Sequence, residues 1–172
     1  ATLELAKIAA EKNLEEAIKL AVDPRKDIDG FHPLSKMDPC TPKGIINLLK
    51  YLNVELVGKN AVVIGRSNIV GKPMGRLLLK ESCNVTTLHS KTTREDMEFY
   101  ISHADIIVVA VGRANFLDNS FKYKNDAVIV DVGINRIEDR LVGDAMENLP
   151  VRIQTPVPGG VGVLTNVCLM EN

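Results

Sequence analysis

With 172 residues, of which 45% are hydrophobic and 25% charged, the chain carries enough apolar material for one core and part of a second. Its formal net charge is −1 and its lysines and arginines are dispersed, so electrostatics gives no reason to expect nucleic acid or an anionic membrane as a partner. Small molecules are the expected ligands.

Three cysteines, Cys40, Cys83 and Cys168, lie far apart without a Cys-x-x-Cys pair, and His32, His89 and His103 are isolated from one another. This spacing matches no common metal-ligand pattern and fits reduced thiols in a cytoplasmic protein, so no metal is expected. No apolar run reaches the ~18 residues of a membrane span, and no charged-then-apolar leader opens the chain.

In chain order, residues 1–21 carry Leu3, Leu5, Ile8, Ala9, Leu14, Ile18 and Leu20 among Glu and Lys at mostly helical spacing, which predicts a helix or two. Residues 22–42, VDPRKDIDGFHPLSKMDPCTP, hold four prolines and lose periodicity, which predicts an irregular, positioned loop. Thr41 then stands where it can cap a helix, with Pro42 in the first turn and Ile45, Ile46, Leu48, Leu49 and Leu52 as the apolar face. From residue 61 the punctuation is regular. AVVIG (61–65), NVTTLHS (84–90), DIIVVAVG (105–112) and AVIVDVGI (127–134) read as strands, with helical patterns at 71–83 and 93–104 between them. RIQTPVPGGVG (152–162) closes the series with a short strand and a proline–glycine loop. Such strands, apolar on both faces and alternating with helices, specify a parallel sheet covered on each side: a doubly wound, Rossmann-like α/β domain over about residues 39–165.

In that architecture ligands bind beyond the carboxyl ends of the strands, where strand order reverses. The loops opening at Gly65, His89, Val111, Gly133 and Thr155 should therefore face one crevice. The first of them, within AVVIGRSNIVGKPMG (61–75), is a nucleotide-binding turn with too few glycines: Gly65 and Gly71, six residues apart, stand where the usual fingerprint spends three. Spacing alone leaves a nucleotide site and a plain strand-to-helix turn equally open. Arg66 directly after the strand, with Ser67 beside it, supplies a charged donor for phosphate, and a cation there opposes the helix dipole unless an anion joins it. At the end of the second strand Leu88-His89-Ser90-Lys91 puts basic and hydroxyl groups where NAD-binding folds place an acid for the ribose 2′-hydroxyl. That set favours a 2′-phosphate, hence NADP.

The succession KDIDGFHP (26–33), PCTPKG (39–44), GKNAVVIGRSNIVGKP (58–73), TLHSKT (87–92), ADIIVVAVG (104–112), VIVDVGIN (128–135), VGDA (142–145) and TPVPGGVG (155–162) resembles the methylenetetrahydrofolate dehydrogenase/cyclohydrolase family from about residue 22 to the end. The resemblance implies NADP-dependent oxidation of 5,10-methylenetetrahydrofolate to the methenyl form and, in bifunctional members, hydrolysis to 10-formyltetrahydrofolate. It also implies homodimers formed through the α/β domain. Residue by residue, it implies cofactor contacts at Gly65, Arg66 and Ser67, a 2′-phosphate contact at Ser90, a nicotinamide-side contact at Ile134 and a further cofactor contact at Thr165. Asp29 matches the carboxylate that holds the pterin ring and is the one candidate catalytic group. Pro158, Gly159, Gly160, Val161 and Gly162 match the loop that closes over the tetrahydrofolate substrate. A carboxylate accepting two donors from a flat 2-aminopyrimidine edge is a sound pairing, and hydride transfer asks mainly that two rings be positioned.

The same resemblance divides the chain into a partial N-terminal folate domain and hinge (1–38), an NADP-binding domain (39–165) and the start of a helix returning towards the N-terminal domain (166–172). It also shows departures. The family's Tyr-x-x-x-Lys motif, whose lysine serves the cyclohydrolase, and its Gln-Leu-Pro-Leu-Pro stretch have no counterpart, and Lys7 is given no role. SKMD (35–38) replaces a longer loop, and Val163-Leu164 replaces Pro-Met. Three readings follow: a piece of a working enzyme, preferred because the folate cleft lies between two domains; a member that binds NADP without catalysis; or a dehydrogenase without the hydrolase. An NAD-using relative is a further alternative. Structural roles stand beside the functional ones: Ser90 as a helix cap, Asp27 or Asp29 as turn closers, Tyr51, Tyr100 and Tyr123 as packing residues, and Glu95, Asp96 and Glu98 as a solvated helix face.

Overall fold

The computed structural model describes residues 21–32 and 34–171; the helices expected at the N-terminus lie outside the described residues. In chain order the elements are α1 (Cys40–Tyr51), β1 (Asn60–Ile64), α2 (Gly71–Lys80), β2 (Asn84–Leu88), α3 (Arg94–His103), β3 (Ile106–Val109), β4 (Val128–Asp131), β5 (Asn135–Ile137), β6 (Arg140–Val142), β7 (Ile153–Gln154) and α4 (Val161–Glu171). Five strands form a wholly parallel sheet in the order β2-β1-β3-β4-β7, and β5 and β6 form a separate antiparallel hairpin. From β1 the chain first steps outward to β2, then crosses back to β3 on the other side of β1. The strand order reverses between β1 and β3, and the carboxyl ends of these two strands frame the crevice.

The apolar runs are continuous because the sheet is buried on both faces. Ala61, Val63, Ile106, Val108, Val128 and Val130 pack with Ile45 and Leu49 of α1 and Met74 and Leu78 of α2. The alternate residues Val62, Ile64, Ile107, Val109 and Ile129 pack with Ile101 of α3, Leu117 and Phe121. Helix α4 lies against α1.

Several expectations are corrected. Helix α1 starts at Cys40 behind Pro39, and Thr41 lies inside it rather than capping it. The helix expected from residue 166 already begins at Val161, which takes Val161 and Gly162 out of the Pro-Gly loop. The β5–β6 hairpin was not foreseen. Of the three tyrosines expected to pack, Tyr51 is 83% exposed and Tyr100 is 38% exposed. Tyr123 alone fits, with its hydroxyl donating to the Asp118 carbonyl at 2.8 Å.

Adjacent leucines of α2 test the layer assignment, because Leu78 is 0% exposed and Leu79 is 65% exposed. Leu78→Ala should lower the free energy of urea unfolding by about 2–5 kcal/mol, and Leu79→Ala should change it by less than about 0.5 kcal/mol.

Candidate functional site

At the end of β1 the chain turns through Gly65 with φ at +126°. A Cβ at Gly65 would strike the Ala110 carbonyl, and one at Gly71 would strike the Gly65 carbonyl. The two glycines thus serve backbone approach: one lets the ends of β1 and β3 close together, the other lets α2 start against the turn.

Ser67 holds that turn shut. Its Oγ accepts the N–H groups of Val70 at 3.1 Å and Gly71 at 3.2 Å, and its carbonyl accepts that of Lys72 at 3.0 Å. With Pro73 next, the first turn of α2 satisfies itself and is not the usual pyrophosphate cradle. The available donors lie one step earlier. The N–H groups of Arg66, Ser67, Asn68 and Ile69 make no hydrogen bond among the described residues, and the Ser67 hydroxyl still has its proton to give.

Gly65, Arg66 and Ser90 come together with His89, Arg113 and Phe116 around a cleft of about 370 Å³ that no carboxylate lines. Neither Arg66 nor Arg113 has an ion-pair partner among the described residues, and the Arg113 guanidinium stands 5.3 Å over the Phe116 ring centroid. Ser90 is exposed and caps nothing: Thr93 caps α3, its Oγ1 accepting the Asp96 N–H at 3.1 Å. Glu95 and Glu98 are exposed, as expected.

Two buried carboxylates shape the rest of the crevice. Asp144, 0% exposed, accepts the N–H groups of Val111 at 2.6 Å, Gly112 at 2.9 Å and Arg113 at 2.8 Å, and the Asn135 amide at 2.9 Å. It thereby ties the loop after β3, one wall of the cleft, to the hairpin that follows Ile134. Asp131, at the end of β4, accepts the N–H groups of Gly133 at 2.9 Å, Asp144 at 3.0 Å and Ala145 at 2.7 Å. Burial is the largest influence on the Asp131 carboxyl and pushes it above its ordinary 3.8, against the pull of those three donors. A carboxyl raised in the folded state contributes most below its unfolded value, and that contribution is lost as pH rises through the folded one.

Ile134, Pro158, Gly159, Gly160, Val161 and Gly162 surround a second, smaller hollow of about 60 Å³. Ile134 is 63% exposed, with its Cδ1 beside Gly162. Thr165 donates to the Val161 carbonyl at 3.2 Å, so the hydroxyl of Thr41, 2.9 Å away, is the donor to Thr165. Asp29 joins neither hollow. It is half-buried with no side-chain hydrogen bond among the described residues, whereas Asp27 is the turn closer, taking the His32 N–H at 2.7 Å.

Arg113 carries one local signal in the sequence, its place one residue beyond the glycine that ends the third strand pattern; the bonds of Thr41, Asp144 and Asn135 carry none.

A family model for the tetrahydrofolate dehydrogenase/cyclohydrolase NAD(P)-binding domain matches residues 39–172. The chain belongs to this family. Among curated relatives, the bifunctional protein FolD of Streptococcus thermophilus is 49% identical over 170 residues, covering 91% of this chain and 59% of its own length. FolD of Bacillus subtilis is 49% identical over 171 residues, covering 92% of this chain and 59% of its own. Among solved structures, the Campylobacter jejuni FolD dehydrogenase/cyclohydrolase superposes with a TM-score of 0.84 at 42% identity, covering 90% of this chain and 59% of that one. The Trypanosoma brucei enzyme, complexed with NADP cofactor and an inhibitor, gives 0.84 at 32% identity, with 90% and 59% covered. The chain thus spans about 59% of the length of the FolD relatives it matches.

Asp144→Ala should cost about 3 kcal/mol or more in urea unfolding, because three backbone N–H groups and one side-chain amide lose their acceptor together. Asp144→Asn, which keeps one acceptor oxygen, should lose less.

Proposed function

We propose that this chain is the cofactor-binding part of an NADP-dependent 5,10-methylenetetrahydrofolate dehydrogenase, which in its complete form also hydrolyses the methenyl product to 10-formyltetrahydrofolate. The observation that carries the reading is the cleft, free of carboxylates among the described residues, in which Arg66 and Arg113, both without an ion-pair partner among those residues, stand beside Ser90 after β2. An acid in that place would repel a 2′-phosphate; two guanidinium groups and a hydroxyl accept one. The four unbonded N–H groups from Arg66 to Ile69 supply donors for the adjoining diphosphate. The donor set fits NADP, which when bound supplies the hydride acceptor.

In this reading the protein's own work is placement. Arg66, Ser90 and Arg113 fix the phosphate end, and Asp144 holds their wall still. Ile134, the Pro158–Gly160 turn and the first residues of α4, brought together around one hollow, press on the reacting face and keep water from it. Thr165, which accepts from Thr41 across α1 and α4 and donates to the Val161 carbonyl, is left with an acceptor lone pair for the cofactor contact that the resemblance implies. Asp29, whose side chain has no hydrogen bond among the described residues, is left to accept the pterin edge in the complete cleft. A homodimer in the cytoplasm belongs to the same reading; the buried thiols of Cys83 and Cys168 fit a reducing compartment.

Arg66→Ala should weaken NADP binding about tenfold or more and NAD binding much less, and Ser90→Asp should remove the preference for NADP. A parent protein with no preference for NADP over NAD would contradict the phosphate contact. The chemistry is tested by turnover of 5,10-methylenetetrahydrofolate with NADP in the complete protein: methenyl product is expected, and NADP binding without turnover would favour a non-catalytic module.

A further inference from the structure

We propose that the cavity between the 30–39 loop and α2 binds a small oxyanion, of phosphate or carboxylate type. The cavity measures about 290 Å³ and shares no lining residue with the cleft of Arg66 and Ser90.

His32 is the first reason. It is 9% exposed, and its Nδ1 accepts the Leu34 N–H at 3.0 Å, which places the proton of the neutral ring on Nε2. That Nε2–H has no partner among the described residues, the ring lines the cavity, and no sealed-off side-chain nitrogen or oxygen is left unbonded. Nε2 therefore opens into the cavity. A side chain nine-tenths buried thus aims its one unpaired donor into the cavity, where it waits for an acceptor.

The second reason is charge. Lys72 and Arg76 line the same space, four residues apart on α2, and neither side chain has an ion pair or hydrogen bond among the described residues. Like charges at that spacing repel, and Lys72 lies in the first turn of the helix, where the dipole disfavours a cation. Asn68 adds an amide to the lining, and no carboxylate answers these donors. Of the acids near by, Asp27 receives the His32 N–H and Asp38 pairs with Lys80 at 3.7 Å. Phe31 and Met37 supply apolar wall, which strengthens any charge-assisted hydrogen bond formed inside. One anion relieves the repulsion, complements the dipole and accepts from Nε2–H at once.

Two sources carry this chemistry: free inorganic phosphate, or a carboxylate of a larger molecule such as the glutamyl tail of a folate, the latter resting on the folate reading above. Nuclear magnetic resonance of the His32 ring, followed while the complete protein is titrated with inorganic phosphate in one arm and tri-γ-glutamate in the other, separates them. We expect a saturable His32 shift in at least one arm, the tighter arm naming the source. The binding should weaken more than about tenfold in the double variant Lys72→Ala, Arg76→Ala, whose NADP affinity should match the parent. Both side chains are exposed, so the variant is expected to fold. No saturable shift in either arm, or a shift unchanged by the double substitution, overturns the proposal. Loss of the phosphate effect on saturation with NADP overturns it too, since the ion would then occupy the cofactor cleft. Failure of NADP itself to bind would end the cofactor reading and leave the His32 result to stand by itself.

Discussion

The buried carboxylate of Asp144 sets the shape of the crevice. Three successive backbone N–H groups after β3 and the Asn135 amide all converge on it, so the loop that walls the Arg66 cleft and the hairpin beyond Ile134 move as one piece. Four donors around a fully buried acid are an all-or-nothing arrangement. Complete, it stiffens the site; with the acid removed, four donors lose their shared acceptor together. Asp131 repeats the device one strand away, at the cost of a carboxyl pushed upward by burial. The two acids build a rigid far wall from short, polar segments that have little apolar surface of their own.

The near wall is built by the opposite means. At the β1–α2 turn the backbone approaches itself so closely at Gly65 and Gly71 that side chains are excluded, and Ser67 consumes the first helical donors. In the reading proposed above, phosphate recognition moves from the helix terminus onto the four amides before it and onto side-chain cations, and a turn with fewer glycines than the usual fingerprint suffices because the helix end is not asked to hold the ligand. Cofactor selection in that reading rests on Arg66, Ser90 and Arg113, which follow three neighbouring strands and line one cleft because β1 lies between β2 and β3.

Much of this was legible in the chain. Strands apolar on both faces are long-range packing written locally, so Ala61–Ile64, Ile106–Val109 and Val128–Asp131 announced a buried parallel sheet, and the crevice followed from topology. The β5–β6 hairpin was not legible, because three-residue strands of NRI and RLV carry charge and no alternation. Nor was the start of α4, where glycines and valines read equally well as loop. Asp144 and the Thr41–Thr165 pair escaped for one shared reason: their partners lie 31–33 and 124 residues away, and no local pattern records such bonds. Asp29 and residues 158–162 were singled out by resemblance alone, and the described residues do not bring them to one hollow.

If the carboxyl-edge crevice at the β1/β3 reversal holds the dinucleotide, adding NADP must shift the amide resonances that line it. The largest changes are expected at Gly65–Gly71, Ser90, Val111–Arg113 and Ile134. Changes confined to the amino ends of the strands, or no changes at saturating NADP, would contradict that placement.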